Sequence, residues 1–480
     1  MKTIRFYDDA DLLDKQGLAL VPGPVSKLGE VSFADKPAGN RLACFAGAVL
    51  PWQGGWRLYY SDLGPYPHRE YRLGVVESSD GLNWVRVNAG GADGFIHPTG
   101  LAVEEKLVQP QVVLLPDGRV RLYCWWHGHD RGRARYIAAD SDNGVDFTFV
   151  NVDDPCLFHP SDFNVGQSGF AAGLTAPVVN ADHEAERTVP WLESKRRRSN
   201  DATFVYYNQR SRQFELYSVW LAPNDPESHR YIPHDNAPQI IRVLHRRTSE
   251  DGLLWSDPEL ILIPDEHDPL DIQFYHLAVQ EVGEWRLGML GHYRCWAQTM
   301  DIELCFSRDG SHWQRPLRGG FIPRGGPEEI DYFYAYPTSA MIPDGDDWIM
   351  LYDGGNSKHN GLLPEGIEKR RSAIMAARMP GGRFAGLQST GRVGSLELKC
   401  IPGAAAITID AEVRGHLRAE LRDIFGRPLE GYHLDEADVV TGDSPRHVLR
   451  WAGKTSEAYR YDALRLRLEL TDGTIYAVNT

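Results

Sequence analysis

The stretch Ser79-Asp80-Gly81-Leu82-Asn83-Trp84 recurs in altered form along the chain, and this recurrence decides the fold. The related stretches keep a polar residue before glycine and an aromatic residue three positions later: Asp142-Asn143-Gly144-Val145-Asp146-Phe147, Glu250-Asp251-Gly252-Leu253-Leu254-Trp255, Arg308-Asp309-Gly310-Ser311-His312-Trp313 and the decayed Pro380-Gly381-Gly382-Arg383-Phe384. The polar residue and the glycine suit a tight turn between two strands, and the aromatic residue can anchor the outer strand.

Runs rich in β-branched and aromatic residues precede each turn and predict strands. The runs are 43–50, 56–61 and 71–78; 108–115, 119–126 and 135–139; 202–208, 214–221 and 240–247; 272–280, 285–293 and 301–307; and 334–342, 348–352 and 372–378. Five four-stranded units in series predict a five-bladed β-propeller. A β-sandwich of consecutive hairpins is the alternative, but it does not explain a turn motif that repeats at blade spacing.

The spacing of the turns also predicts the domain organisation. The turn glycines lie about 60 to 70 residues apart, except for a gap of 108 residues after Gly144 that predicts an insertion at about 153–199. The propeller is expected to span residues 1–393. In residues 394–480, short alternating strands at 406–412, 417–421, 447–451 and 464–470 predict a small β-sandwich, with turns at 443–447 and 471–473. The expected fold class is all-β.

Composition excludes several classes of protein. The chain has 480 residues, a net charge of -15 and 42% hydrophobic residues, which is typical of a soluble globular protein too long for a single core. Its acidity argues against a nucleic-acid partner, and the basic run Lys195-Arg196-Arg197-Arg198 is expected to be a solvated loop. The sequence shows no secretory leader and no apolar run of about 18 residues, so no membrane partner is expected. Six scattered cysteines predict free thiols and a cytoplasmic location.

Carboxylates stand just before the predicted innermost strand in four of the five blades. In a propeller these positions converge on one mouth of the central channel. The candidates are Glu105, Asp201, Asp271, Glu329 and Asp331. Paired carboxylates fit glycoside hydrolysis, in which one protonates the leaving oxygen while another activates water or attacks the sugar. Like charges that lie close together also raise the pKa of one member, which prepares a general acid.

Other polar and aromatic residues near the same mouth are candidates for binding a sugar. They are Arg41, His127, Tyr275, His276, Tyr332, Tyr334 and His359. A metal site needs three or four converging ligands, and for these histidines hydrogen bonding to sugar or a structural role is favoured over a catalytic metal. No cofactor is therefore expected, although the channel leaves room for a structural divalent cation.

The sequence resembles the five-bladed propeller glycoside hydrolases, the furanosidase-like superfamily of families 32, 43, 62, 68 and 117. The resemblance rests on the Ser-x-Asp-Gly-x-x-Trp turns, on the blade-start carboxylates and on stretches such as 200–207, 248–259 and Leu351-Tyr352-Asp353-Gly354-Gly355. It implies an acidic base or nucleophile on blade one and a Glu acid on blade three, but this chain has Asn40-Arg41 and Asp201 there. The predicted catalytic set is therefore Asp201, Asp271 and Asp331, with Glu105 and Glu329 in reserve.

The resemblance and the carboxylates together predict an exo-acting glycosidase for short oligosaccharides or furanosides. Its partner would be a small carbohydrate, and a homo-oligomer stays open. The alternatives are a carbohydrate-binding propeller without turnover, a sugar phosphorylase, and a polysaccharide lyase that uses Tyr275, His276 or His359 as its base. A sialidase-like enzyme would need a sixth blade, and the sequence shows five.

Overall fold

The computed structural model describes residues 2–34, 42–63, 71–87, 95–101, 106–127, 134–157, 202–223, 240–359 and 363–480. These residues form β-strands and one short 3-10 helix, Ser456–Tyr459. The chain divides into two compact units. The propeller unit comprises Ser26–Trp313 and Arg318–Arg378, and the terminal unit comprises Met1–Val25, Gln314–Leu317 and Met379–Thr480. Within the described residues, no helix is long and apolar enough to cross a membrane.

Five short strands precede the first blade. They are β1 (Thr3–Arg5), β2 (Leu12–Gln16), β3 (Leu18–Pro22), β4 (Ser26–Glu30) and β5 (Ser32–Phe33). The first three belong to the terminal unit, and the other two pair with blades of the propeller.

The blades of the propeller unit share one plan, in which the innermost strand comes first and the later strands follow outward. In chain order their strands are β6 (Leu42–Trp52), β7 (Gly55–Leu63), β8 (Tyr71–Ser78) and β9 (Asn83–Arg86); β10 (Lys106–Leu114), β11 (Val120–His127), β12 (Ala134–Ser141) and β13 (Thr148–Phe149); β14 (Thr203–Asn208), β15 (Gln213–Pro223), β16 (Ile240–Ser249) and β17 (Glu259–Leu262); β18 (Ile272–Val282), β19 (Trp285–Arg294) and β20 (Thr299–Ser307); and β21 (Tyr334–Asp344), β22 (Asp347–Gly355) and β23 (Ser372–Pro380).

The innermost strands form a closed ring. β6 contacts β10, β10 contacts β14, β14 contacts β18, β18 contacts β21, and β21 returns to β6. Five blades therefore surround one channel, as the repeated turns predict. Side chains between neighbouring blades form the apolar core, which includes the fully buried rings of Trp84, Trp125 and Trp285.

The propeller is closed by a strand from near the start of the chain. β4 pairs antiparallel with β23, from Ser26 opposite Arg378 to Glu30 opposite Met375, and so supplies the outer strand of blade five. The decayed fifth turn at 380–384 leads instead into β24 (Ala385–Ser389), which pairs with β3 in the terminal unit. β4 therefore completes the sheet of blade five, and β5, which follows it in the chain, pairs with β9 of blade one.

The turns that define the repeat are held by a common set of hydrogen bonds. In the first turn, the backbone N–H of Gly81 donates to the Ser78 hydroxyl at 2.8 Å, and the Asp80 carboxylate accepts the backbone N–H of Asn83 at 2.8 Å. Gly81 has φ +75, a conformation that favours glycine, and Trp84 Nε1 donates to its carbonyl at 3.0 Å. The same bonds from glycine to serine recur at the other three turns, with distances of 2.8 to 2.9 Å.

The second and third turns also join their blades to the blade before. Tyr59 and Arg57 of blade one donate to the carbonyl groups of Gly144 and Asn143, at 2.8 and 2.7 Å. The same two contacts join blade two to the third turn, from Tyr123 to Gly252 and from Arg121 to Asp251. The repeated motif therefore fixes both the outer hairpin of its own blade and the packing of neighbouring blades.

Replacing Asp80 with alanine is expected to lower the free energy of unfolding at pH 7 by about 1 kcal/mol, because the turn loses the acceptor for several N–H groups. Burial raises the pKa of Asp80, but hydrogen bonds from Asn83, Leu82 and Ser78 outweigh burial and hold the pKa well below its usual value. The stabilisation by Asp80 is complete above about pH 4 and is lost as the pH falls through the folded-state pKa. Urea unfolding between pH 7 and pH 3 should therefore show a smaller loss of stability in Asp80→Ala than in the wild type.

The control for this experiment is Asp142→Ala, at the second turn. Asp142 is exposed, and its carboxylate accepts no hydrogen bond from the residues that the structure describes. An equal effect of both substitutions would contradict the role of Asp80 in the turn.

His245 in β16 is buried beside the ring of Trp220, with ring centroids 5.2 Å apart. Neither of its ring nitrogens has a hydrogen-bond partner in the described part of the chain. Burial, aided by the nearby Arg247 cation, lowers the pKa of His245 well below its usual value, so the ring is neutral in the folded protein. Unfolding lets the ring take up a proton below its unfolded pKa of about 6.5, and stability is therefore lost as the pH falls below that value.

His245→Phe should remove this part of the pH dependence. At pH 5 the linkage costs the wild type at most about 2 kcal/mol relative to pH 7, and the variant should lose less stability over that interval. Urea unfolding at pH 7, 6 and 5 measures the difference. Parallel pH profiles for the two proteins would show that His245 is not the group that titrates.

The terminal unit is one antiparallel sheet of eight strands that curls around a single core. Its remaining strands are β25 (Gly394–Pro402), β26 (Thr408–Arg422), β27 (Val440–Val448) and β28 (Ala463–Asn479). The core includes the fully buried Trp451 and leucines of β28 such as Leu466 and Leu470. Residues 3–22, which the sequence predicts in the propeller, supply β1, β2 and β3 of this sheet.

Three local predictions in the terminal unit differ from the structure. The two runs 406–412 and 417–421 belong to one long strand, β26, which a bulge between Val413 and Leu417 interrupts on its β27 side. Residues 443–447, predicted as a turn, lie inside β27, and the turn predicted at 471–473 lies inside β28. Turn-forming residues occupy these strands because bulged, strongly bent strands accept them at irregular positions.

Five of the six cysteines lie among the described side chains, and none of the five forms a disulfide. Cys124, Cys156, Cys295 and Cys305 are buried, and Cys400 is exposed. Their free thiols agree with the prediction from their scattered spacing.

Candidate functional site

β-Bulges interrupt four of the five innermost strands. They lie at Cys44–Ala48 in β6, between Val108 and Gln111 in β10, between Phe274 and Leu277 in β18, and between Pro337 and Met341 in β21. A bulge breaks the regular alternation of side chains and turns an extra residue toward one face. In the channel, the bulges therefore change which side chains face the central space, and several of those side chains are polar.

Three of the bulged strands, β10, β18 and β21, line a pocket within the channel together with β14 and β22. The lining combines amides, hydroxyls, an imidazole and a carboxylate with a few apolar groups: Gln109, Gln111, Thr203, Phe204, His276, Ala278, Pro337, Thr338, Ser339 and Asp353. A concave surface with a few convergent polar groups is the usual form of a site for a small polar molecule.

The strands around this pocket approach each other closely. A Cβ atom on Gly47 would lie 1.7 Å from the carbonyl oxygen of Pro110, so only glycine fits between β6 and β10. The Ser339 hydroxyl donates to the carbonyl of Gly47 at 2.6 Å and joins β21 to β6. Gln109 has φ +56 at its bulge, and its backbone N–H donates to the Ser61 hydroxyl at 3.3 Å. The pocket walls are thus fixed by backbone contacts between blades.

Asp353 is the carboxylate that lines the pocket, and it is 2% exposed. It lies near the end of β22, opposite Tyr336 in β21. The two glycines that follow it allow close packing, since a Cβ on Gly355 would lie 1.8 Å from Cζ of Tyr334. The predicted catalytic set omits Asp353, because that set was drawn only from positions before innermost strands. The run Tyr352-Asp353-Gly354-Gly355 was the signal that could have identified it.

Aromatic rings and histidines pack beside the pocket between blades four and five. The His276 ring lies 5.5 Å from the ring of Tyr336, and the His359 ring lies 5.0 Å from Tyr275 and 4.9 Å from Tyr293. Tyr275, His276 and His359, predicted as sugar-binding residues, are therefore brought together, and His276 lines the pocket. The buried Arg242 guanidinium lies over the Tyr275 ring at 4.4 Å and bonds to Gln273 at 3.0 Å.

The two other aromatic residues predicted to bind sugar lie at the start of β21 and just before it. Tyr334 is buried and packs against Tyr336 at 4.6 Å between ring centroids. Tyr332 is half-buried and contacts Phe333 edge to face at 5.0 Å. Neither ring is among the residues that line the pocket.

Asp271 is buried at the start of blade four and forms hydrogen bonds within the protein. Its carboxylate accepts Arg294 Nε at 2.8 Å and the backbone N–H of Trp296 at 3.2 Å. Asp271 is not among the residues that line the pocket. These contacts fix the hairpin between β19 and β20.

Asp331 is completely buried and joins the closing strand to blade five. Lys27 Nζ, from β4, lies 2.8 Å from one carboxylate oxygen of Asp331, and the Tyr352 hydroxyl donates to the same oxygen at 2.9 Å. Burial and the neighbouring Asp331 carboxylate raise the pKa of Tyr352 well above its usual value, so the phenol remains a donor. Glu329 is largely exposed and lies 3.5 Å from Lys27. Neither carboxylate lines the pocket.

Several predicted site residues lie outside the described residues. They are Arg41, Glu105 and Asp201, and the side chain of His127 is likewise not described. Their assignment to the site stays a prediction.

A second group of charges lies at the start of blade four. His292 Nε2 is 3.7 Å from carboxylate oxygens of both Asp268 and Glu303, and Arg318 bonds to Asp265 at 2.7 Å and to Asp268 at 3.2 Å. The Arg318 cation offsets the buried Asp268 carboxylate, as in a structural ion-pair network. In the part of the chain that the structure describes, no group of three or more His, Cys, Asp or Glu residues could hold a metal ion.

The sequence matches no protein-family model and no curated protein. Among solved structures, the chain is similar to an N-acetylgalactosamine deacetylase from F. plautii, with 18% identity, a TM-score of 0.47 and coverage of 76% of this chain and 96% of that chain. It is similar to a family 117 glycoside hydrolase from Zobellia galactanivorans, with 11% identity, a TM-score of 0.44 and coverage of 75% and 90%. A thermostable family-43 glycoside hydrolase gives 13% identity, a TM-score of 0.43 and coverage of 72% and 92%. Families 43 and 117 are two of those that the sequence resembles.

Proposed function

We propose that the protein is a glycoside hydrolase that binds a short carbohydrate in the channel pocket and uses Asp353 as one of its two catalytic carboxylates. The observation that carries this proposal is the position of Asp353, a buried carboxylate in a pocket whose other lining residues supply amides, hydroxyls, an imidazole and a few apolar groups. Amides, hydroxyls and an imidazole are the groups that hydrogen-bond sugar hydroxyls, and a carboxylate supplies the acid or base chemistry.

The division of roles follows from the contacts. Gln109, Gln111 and Thr203 provide donors and acceptors on one side of the pocket, and His276 provides an imidazole from blade four. Asp353 would protonate the leaving oxygen as acid, take a proton from the attacking water as base, or attack the anomeric carbon as nucleophile. Glycoside hydrolysis needs a second carboxylate, and Asp201 and Glu105 stay the sequence predictions for it because they precede the pocket-lining strands β14 and β10.

Asp271 and Asp331, which the sequence predicts as catalytic residues, are proposed to position other groups. Asp271 binds Arg294 and the backbone of Trp296, whereas Asp331 binds Lys27 and Tyr352. Because both carboxylates are engaged in contacts within the protein and neither lines the pocket, we assign them a positioning role. The cytoplasmic location and the exo mode of action also stay proposals.

The test is a screen of the purified protein against aryl glycosides and unlabelled oligosaccharides of pentoses and hexoses, with products separated by chromatography. The proposal expects release of a sugar from at least one substrate class, with no requirement for phosphate. Release that depends on phosphate would identify a phosphorylase, and an unsaturated product would identify a lyase. Binding without any product over days would identify a carbohydrate-binding propeller and overturn the proposal.

A further inference from the structure

The hairpin between β19 and β20 carries an exposed tryptophan. Trp296 is 64% exposed, whereas the adjacent Cys295 is completely buried. A single exposed apolar side chain needs no explanation by itself. This hairpin does call for an explanation, because buried groups hold the backbone that carries the exposed indole ring.

Hydrogen bonds hold the hairpin at both of its ends. The backbone N–H groups of Cys295 and Trp296 donate to the carbonyl and the carboxylate of Asp271, at 3.0 and 3.2 Å. On the other side, the backbone N–H of His359 donates to the carbonyl of Gln298 at 3.3 Å. Gln298 is itself buried at φ +57, so the backbone adopts a demanding conformation at this point. The buried Asp271 carboxylate thus holds the backbone of Trp296, whose ring is largely exposed to solvent.

The hairpin is continuous with the pocket wall. His359, which bonds to Gln298, packs its ring against Tyr275 and Tyr293. Tyr275 precedes His276, and the His276 imidazole lines the pocket. β18 begins at Ile272, four residues before His276, and a regular strand would span about 13 Å over that distance; the bulge between Phe274 and Leu277 makes this an upper bound. A separation up to that length leaves room for a second sugar ring beyond the pocket.

We propose that Trp296 binds a second sugar ring of an oligosaccharide whose terminal ring occupies the pocket, and that Asp271 positions Trp296 for this contact. The inference rests on the proposed function for the identity of the pocket ligand. The flat apolar face of an indole packs against the C–H face of a sugar and adds contact area with little loss of conformational freedom. The ligand of this site is therefore a chain of sugars, and a single sugar does not reach it.

Trp296→Ala should raise KM for trisaccharides of arabinose, xylose, galactose or fructose by about three- to tenfold, whichever of them the wild type cleaves. KM for the matching methyl monoglycoside should stay unchanged. Trp296→Phe should retain most of the trisaccharide affinity, because a flat ring remains. Tyr461→Ala is the matched control: Tyr461 is 87% exposed in the terminal unit, and its removal should alter neither substrate.

Calorimetric titration of the same trisaccharides separates this inference from the proposed function. If the wild type cleaves nothing, but Trp296→Ala binds the trisaccharide more weakly than the wild type does, the role of Trp296 is supported and the hydrolase is overturned. If Trp296→Ala loses affinity equally for the trisaccharide and the monoglycoside, or for neither, the role of Trp296 is overturned. Turnover by the wild type would still uphold the hydrolase. Absence of both binding and turnover in the wild type would overturn both.

Discussion

Asp331→Asn is expected to lower the free energy of unfolding by about 2–4 kcal/mol. The substitution leaves the Lys27 ammonium with only the more distant and largely exposed Glu329 carboxylate, and it removes a charged acceptor from the Tyr352 hydroxyl, in a place where the Asp331 side chain is completely buried. Breaking one side of a buried ion pair usually costs about 3–5 kcal/mol, and the partial exposure of Lys27 reduces that cost. Urea unfolding followed by tryptophan fluorescence measures the loss.

Glu329→Gln is the matched control for this prediction. Glu329 faces the same lysine at 3.5 Å but its side chain is largely exposed, so the loss should stay below about 1 kcal/mol. The pair of variants also separates the two interpretations of Asp331. If Asp331→Asn abolished turnover while the protein kept its full stability, Asp331 would be a catalytic residue, as the sequence alone predicts.

Asp353→Asn is expected to reduce kcat on the best glycoside by about 10²- to 10⁴-fold, the usual contribution of a positioned acid or base. The amide keeps the size of the side chain but can neither deliver a proton nor attack the sugar. KM should change little, because the other pocket groups, such as Gln111, Thr203 and His276, are retained. Steady-state kinetics of the wild type and the variant measure both constants.

The control for Asp353 lies at the other end of the same hairpin. Asp344 ends β21, is partly exposed and forms an ion pair with Arg378 at 2.7 Å. Asp344→Asn should retain the wild-type kcat, and thermal melts should show that both variants are folded. A kcat for Asp353→Asn equal to that of Asp344→Asn would exclude a catalytic role for Asp353.

The blades were predictable from sequence because their signals are local. A serine, an aspartate or asparagine, and a glycine within four residues specify each turn, and Gly81 illustrates the left-handed φ that the motif requires. The alternation of apolar residues then places the flanking strands; the run predicted at 71–78 coincides with β8. Five copies at blade spacing suffice to predict the propeller.

The closing strand and most of the site were not predictable, because they depend on contacts between distant segments. Lys27 and Asp331 are 304 residues apart, and no local pattern joins them. Asp353 reaches the pocket from a second strand, beside a bulge in β21 that no periodicity predicts. The exposure of Trp296 likewise follows from the way Asp271 and His359 hold its hairpin. Of the carboxylates before innermost strands, Asp271 and Asp331 form contacts within the protein, and that positional criterion does not include Asp353.

The most direct test of the central claim combines turnover and binding in Asp353→Asn. Wild type and variant are incubated with the glycoside that the screen identifies, and the variant is titrated with the same glycoside by calorimetry. We expect the wild type to release sugar and the variant to bind the intact glycoside with similar affinity while releasing at least about 10²-fold less product per unit time. Product release by the variant at the wild-type rate would contradict the assignment of the catalytic site to this pocket.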